Sequence, residues 1–488
     1  MTARARDRRV YRSGHPVLFA LLAAMRRRPV TRLGGTLLIN GTDEFIEAMT
    51  RVPLDRQADG TTGAIARDLA DADLLFDQEG AAHRNARRDL AARLSSAGVE
   101  RLRPVWQGVL NRRLGALHDG GRVDLVDLTA ELAGSTAAAL LGIDADPREL
   151  SRAARDAAAA AARAHLPGLR LPARRGHDPA TTARRLTALL AEAPRVKGIE
   201  PDMGAGPDTD AGPATAAGPA TAAGPATAAG PATAAGPATG TGPATAAGLA
   251  AMLAVAAINT TIAAIPRAVA WCADDRLWEH AEAGGERLDA LVAELLRVVV
   301  PTPLLPRAAG GDGVIGGCPV AHGDRLILVT RHATGAHHRD PNPADPAPPH
   351  VAQLVFGTGP HACPGAALAR AQMRDVLAAL APLRPAVVTA RPDRRAALPG
   401  WRLLTVEATT PAATSSPTGP GSPTGPSSPT GPGNPDRPGK PSGPTQPGRP
   451  TEASGRPGPG GRPGPGGTPG PGGPTEPGGT GEPSGTGA

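Results

Sequence analysis

The sequence predicts a mainly helical domain with a small β-sheet region, and three observations carry that prediction. Two low-complexity stretches account for much of the 63 Gly and 55 Pro, which leaves about 360 of the 488 residues, enough for one large domain. Within that remainder, Ala/Leu/Arg-rich stretches carry apolar residues at three- and four-residue steps, the period of a helix face. Strand-like pieces are short and few.

Near the start, "HPVLFALLAAMRRR" is a short apolar patch ending in arginines. Lacking a small-residue cleavage site, it reads as an amphipathic first helix rather than a secretory signal. "GGTLLING" at 34–41 reads as a strand. Helical periodicity then recurs at 81–94, 122–142, 150–164 and 180–193. Between 206 and 247 the chain repeats "GPATAA" with a period of six, which suits neither a helix face nor a strand, and its prolines recur too often for a helix. This segment is expected to be a flexible insertion that divides one domain into 1–205 and 248–410. Helices are expected again at 248–272 and 286–299, followed by strands at 325–330 and 401–408. From about Pro411 the chain becomes "SSPTGPGSPTGP" in style and stays so to Ala488. Almost nothing apolar is available there to offset chain entropy, so 411–488 is expected to be a disordered tail. Glycine does not hold every third position, which excludes collagen.

Composition narrows the function. Three cysteines, an odd number spread over Cys272, Cys318 and Cys363, argue against a disulfide framework and for a reducing, cytoplasmic setting. No run reads as a membrane span. A net charge of +7 is compatible with an acidic protein partner, and no nucleic-acid role is expected.

The informative stretch is "LVFGTGPHACPGAALA", residues 354–369, a cysteine set among glycines just before an alanine-rich run of helical character. A cysteine ligates a metal only as thiolate. Glycines let backbone come close to a cofactor and turn N–H groups toward the sulfur, while a helix opened at Gly365 adds a favourable dipole. Two rival readings exist. "GTGPHA" fits G-x-G-x-x-A, the dinucleotide fingerprint, with Asp375 about 20 residues on, although Pro360 sits inside the turn and no β-α-β unit follows. The other rival is a buried structural cysteine in a glycine turn.

Phe356, Gly357, Gly359, His361, Cys363 and Gly365 fill every fixed position of F-G-x-G-x-H-x-C-x-G, and in this the loop resembles the haem-thiolate loop of the cytochrome P-450 family. Further motifs follow in the family's order. Glu294 and Arg297 form E-x-x-R, three apart on one helix face, where they can pair. Arg307 in "LPRAA", and His83 with Arg87 in "AAHRNAR", match positions that contact the haem propionates. "AINTT" matches the oxygen-side helix motif, with Asn259 where the family carries an acid and Thr260 as the alcohol. An amide can organise water but cannot ionise, so the usual proton route is expected to be altered. Outside the family context, Thr260 would read as a buried hydroxyl bonding its own i−4 carbonyl. The segment before the cysteine loop, "NPADPAPPHVAQ", lacks the arginine that completes the E-x-x-R network, and His350 is the one candidate substitute.

The resemblance covers about residues 14–410. It implies the cytochrome P-450 fold and haem b (iron protoporphyrin IX) ligated by Cys363 and shielded by Phe356, with Gly357, His361 and Gly365 shaping the loop. The implied reaction is insertion of one oxygen atom from O2 into a small organic substrate, with electrons from a ferredoxin and its ferredoxin reductase. The 2% aromatic content suggests a pocket walled by aliphatic side chains. Two alternatives stay open: a peroxide-driven or oxidative-coupling enzyme of the same fold, and a non-enzymatic haem-binding protein.

Overall fold

The structure is a computed structural model that describes residues 2–55, 57–64, 88, 90–165, 178–196, 243–359 and 362–409. The "GPATAA" repeat up to residue 242, the tail from 410, most of the 81–94 helix, and the residues His83, Arg87 and His361 lie outside the described residues.

Helices α1 (Ala3–Ser13) and α2 (Pro16–Met25) come first, then the hairpin β1 (Val30–Leu33) and β2 (Thr36–Ile39), α3 (Thr42–Thr50) and β3 (Leu54–Asp55). The helical body consists of α4 (Ser96–His118), α5 (Leu125–Leu141), α6 (Pro147–His165), α7 (Pro179–Glu192) and the 32-residue α8 (Pro243–Asp274), with β4 (Arg122–Asp124) between α4 and α5. After α9 (Trp278–Glu282) and α10 (Gly285–Val299) come β5 (Leu305–Ala309), β6 (Gly313–Ile315), β7 (Cys318–Val320) and β8 (Arg325–Leu328). Then follow α11 (Thr330–Ala333), α12 (Pro349–Gln353), α13 (Ala366–Leu380), β9 (Ala386–Pro392) and β10 (Trp401–Glu407). The larger sheet runs β1-β2-β8-β5-β3, with β2 and β8 parallel and the other pairs antiparallel. A smaller antiparallel sheet runs β4-β10-β9.

Several boundaries differ from those read off the sequence, each for a local reason. The stretch 122–142 begins as strand, not helix. Asp124 ends β4 and caps α5, its carboxylate accepting the Val126 N–H at 3.0 Å, so the helix starts only at Leu125. Helix α4 was not expected, because Pro104 and three glycines dilute its pattern; packing holds it, through Trp106, Val109, Leu110, Leu114 and Leu117 on one buried face. The final "GPATAA" unit runs into α8, whose first residue is Pro243, a position where the missing N–H costs nothing.

Helix α8 is the axis of the body. By length and apolar composition its residues 247–274 would suffice to cross a membrane, contrary to the sequence expectation, but half of an apolar 18-residue stretch within them is buried inside the protein. It packs against α1, α5, α6, α7, α10 and α13, and Ala254, Ile258, Ala268 and Val269 are fully buried in the main core. Its far half is clasped by α1. Asp7 accepts from Arg267 Nε at 2.9 Å and Nη2 at 2.5 Å and pairs with Arg331 at 2.9 Å, and Arg331 lies 4.3 Å over the Tyr11 ring. Burial alone would raise the Asp7 pKa, but the two guanidinium groups outweigh it and hold the carboxylate below its usual range.

Helix α13 reaches the core from the other side. Asp375 accepts from Trp106 Nε1 and Arg103 Nε, both at 2.9 Å, which joins α13 to α4. Buried Gln372 donates to Thr136 on α5 at 3.0 Å. Asp375 is thus committed to helix packing. The segment before its loop is a short 3-10 turn, Leu354–Phe356, rather than a strand, so the dinucleotide reading lacks both its acid and its β-α-β unit.

Candidate functional site: the cysteine loop and its surroundings

Residues 357–359 and 362–365 lie between the 3-10 turn and α13. Gly357 N–H bonds to Leu354 O at 2.9 Å, Ala362 N–H to Gly359 O at 3.1 Å, and Cys363 N–H to Phe356 O at 2.7 Å. Gly357 and Gly359 take φ of 73° and 74°, a region that favours glycine. At Gly359 the need is doubled, because a Cβ there would lie 3.1 Å from Met49 O. The loop therefore wraps tightly against α3 and turns Cys363 outward.

Cys363 is exposed, whereas Cys272 is buried in the core with its thiol pKa pushed far up by desolvation. The Cys363 sulfur lies over the start of α13, 3.7 Å from where a Cβ on Gly365 would be. Gly365 is the cap residue of that helix, so the sulfur sits where unpaired N–H groups and the helix dipole favour a negative charge. Among the described residues no group of three His, Cys, Asp or Glu could hold a metal ion, so any iron here would depend on this single thiolate and on the faces of a planar cofactor. The loop fits that demand: an accessible sulfur, backbone without side chains on the flanking glycines, and an aromatic shield. Phe356 is half buried beneath Arg370, whose guanidinium lies 4.5 Å from the ring and donates to Gln353 at 2.6 Å. Burial lowers the Arg370 pKa and the nearby Cys363 opposes that shift, so a cation stands close to the sulfur. Arg370 and Gln353 were not singled out in the sequence; an arginine one turn into the helix that follows the cysteine was the available signal.

On α10, Glu294 and Arg297 are both 0% exposed and meet as a two-pronged pair at 2.8 and 2.6 Å. The completing partner is not His350, which is exposed on α12. Main chain takes that part. The Glu294 carboxylate also accepts N–H groups from Asn342 at 3.0 Å and Ala347 at 2.9 Å, and Arg297 donates to the carbonyls of Thr334, Arg339 and Asp340 at 3.2, 3.3 and 3.1 Å. The short, arginine-free segment before the cysteine loop is thereby held against α10. Arg307 lies on β5 and donates to Thr62 Oγ1 at 2.7 Å and to Pro306 O at 3.0 Å.

Thr260 and Asn259 lie midway along α8. Thr260 Oγ1 bonds to Ala256 O at 2.7 Å, and Asn259 Nδ2 donates to Val255 O at 2.8 Å and to Ala154 O on α6 at 3.2 Å. The structure thus joins Cys363, Phe356 and Arg370 in one cluster, pairs Glu294 with Arg297 in a second, and ties Asn259 to α6 and Arg307 to Thr62 elsewhere.

A profile of the family described as Cytochrome P450 matches residues 286–381, which include both the Glu294/Arg297 pair and the cysteine loop. Over that segment the chain is similar to the cytochrome P450 family. The fold of the chain as a whole is that of solved cytochrome P450 structures. Epothilone D-bound cytochrome P450epoK superposes with a TM-score of 0.60 at 19% identity, over 82% of this chain and 98% of that one. P450BioI, in complex with an acyl carrier protein ligated to hexadec-9Z-enoic acid, gives 0.59 at 18% identity, over 80% and 98%. In sequence, cytochrome P-450 monooxygenase DoxA of Streptomyces sp. (strain C5) is 33% identical over 103 residues. That match spans 20% of this chain and 24% of DoxA, well under two thirds of the relative's length.

Proposed function

We propose that this chain is a cytochrome P450, a haem-thiolate monooxygenase that inserts one oxygen atom from O2 into a small organic substrate, and that Cys363 is its axial ligand. The observation that carries the reading is the exposed Cys363 sulfur, set over the cap of α13 in a loop closed by the bond from Cys363 N–H to Phe356 O. Haem b, when bound, supplies the redox iron at which dioxygen is reduced and its bond cleaved.

Every other part falls to the chain. Gly357, Gly359 and Gly365 let main chain approach the cofactor face, Phe356 keeps water from the sulfur, and Arg370 balances the thiolate charge. Arg307, with His83, Arg87 and His361, is assigned to hold the cofactor, the arginines through their planar donors to carboxylates. Glu294 and Arg297 keep the segment leading to the loop in place. Thr260 offers a hydroxyl on the oxygen side, held by its own helix in the absence of a bound partner. Electrons are expected from a ferredoxin and its reductase, in the cytoplasm, with the basic surplus favouring an acidic donor. The repeat at 206–247 and the tail at 411–488 are assigned no part in cofactor binding.

The absorption spectrum of the reduced, carbon monoxide-bound protein tests this reading. A strongly red-shifted Soret band should appear, vanish in Cys363→Ala, and persist when Cys272 and Cys318 are replaced. A band that survives in Cys363→Ala overturns the ligand assignment. Two competitors are separated by turnover. Steady product with peroxide and none with electron donors would select a peroxide-driven or oxidative-coupling enzyme. Full haem loading with no reduction of dioxygen by any donor would select a haem-binding protein.

A further inference from the structure

The side chain at 259 occupies the slot just before Thr260, and its geometry specifies what that slot demands. The amide nitrogen faces two main-chain oxygens, Val255 O at 2.8 Å in its own helix and Ala154 O at 3.2 Å on α6. An amide nitrogen carries two protons, so both contacts are satisfied bonds, and an oxygen in the same place would face two acceptors. The contact with α6 depends on small residues. Ala153, Ala154, Ala157, Ala160 and Ala161 are buried along one face of α6, which lets the two helices approach until a short side chain on one reaches main chain on the other. Among the described residues Thr260, by contrast, bonds within α8, to Ala256 O at 2.7 Å and Ala257 O at 3.4 Å.

We propose that Asn259 is a positioning residue that latches α6 to α8 one residue before Thr260, so that position 259 sets the gap between these helices rather than supplying protons. A donor is required here, and a carboxylate would be the wrong group. The inference about the latch concerns bonds within the chain and does not rest on the haem reading.

The test measures hydrogen exchange across residues 150–160 of the full-length protein, for the parent and for Asn259→Ala, Asn259→Asp and Thr260→Ala. Asn259→Ala should speed exchange there about three- to tenfold, the range expected for one lost hydrogen bond. Asn259→Asp should speed it at least as much, because acceptor then faces acceptor, and Thr260→Ala should leave it unchanged. A second arm, which does rest on the haem reading, compares Soret shifts with imidazole and with 4-phenylimidazole. Release of the latch in Asn259→Ala should favour the larger azole over the smaller by about threefold relative to the parent. Unchanged exchange in Asn259→Ala overturns the latch, and so does an unchanged azole ratio or an Asn259→Asp variant that keeps parental protection while coupling more electrons to product. If neither azole shifts the parent spectrum, the haem reading fails and the exchange data alone decide the latch.

Discussion

Replacing Glu294 by glutamine removes one charge and almost no volume from an ion pair whose two side chains are both 0% exposed. Apart from Glu294, the partners of the Arg297 guanidinium are neutral carbonyls of Thr334, Arg339 and Asp340. The variant therefore leaves a guanidinium with no counter-charge in the core, and turns an amide N–H toward donors that a carboxylate accepted. Breaking a buried pair from one side costs about 3–5 kcal/mol, a large share of the roughly 5–15 kcal/mol that holds a domain folded. Urea titrations of parent and Glu294→Gln, followed by far-UV circular dichroism, measure that difference directly. Its pH dependence has a defined sign. Burial pushes the Glu294 carboxyl up, but the Arg297 fork and the N–H groups of Ala347 and Asn342 outweigh it, so the folded value lies below the ordinary 4.5. Stability from a lowered carboxyl is fully present above that ordinary value and is lost as pH falls through the folded one. The gap between parent and variant should thus be constant from neutral pH down to about 4.5 and close below it. A gap under about 1 kcal/mol at pH 7, typical of an exposed pair, would refute the buried-pair reasoning. A gap that acid leaves untouched would do the same.

Gly359→Ala forces a Cβ to 3.1 Å from Met49 O at a φ of 74°, so a loss of about 1–3 kcal/mol is expected in the same titration, together with weaker haem retention on dilution. Parental stability in that variant would mean the loop does not need its tight approach to α3. Asp7→Asn removes the carboxylate between Arg267 and Arg331 and should cost at least about 3 kcal/mol; a loss below about 1 kcal/mol would show the clasp to be dispensable. Thr260→Ala deletes the hydroxyl bonded to Ala256 O and is expected to raise peroxide release during turnover while the carbon monoxide spectrum stays as in the parent. Unchanged partition between product and peroxide would remove Thr260 from the proton path.

The cysteine loop was legible because its chemistry is written in residue types: a thiol needs close backbone and a helix start, and those demands select glycine at fixed spacings. Glu294 and Arg297 were legible for the same reason, as opposite charges one helical turn apart. What completes them was not. The N–H groups of Asn342 and Ala347 and the carbonyls of 334, 339 and 340 belong to main chain, which every residue carries, so no residue type marks them in the sequence. Asn259 was read through its acidity, or lack of it, because a sequence does not show which neighbour a side chain can touch. Its contact with Ala154 spans 105 positions and depends on an alanine face that composition describes only as helical. Among the secondary elements, strongly periodic helices such as 286–299 were found nearly to the residue. Helix α4 and strand β4 escaped, one because proline and glycine interrupt it and the other because a capping aspartate divides what looked like a single helix.

The clasp on α1 has a consequence for how the chain matures. Asp7 is made 260 positions before its first guanidinium partner, and Arg331 comes later still. Until α8 and the segment after β8 have been made, α1 has no place to bury its carboxylate, and during that interval a short arginine-rich helix stays open to chaperones and proteases. The Asp7 pairs can therefore close only after Arg331 has been made, and protease resistance of α1 that appears only after that point of synthesis would be the signature.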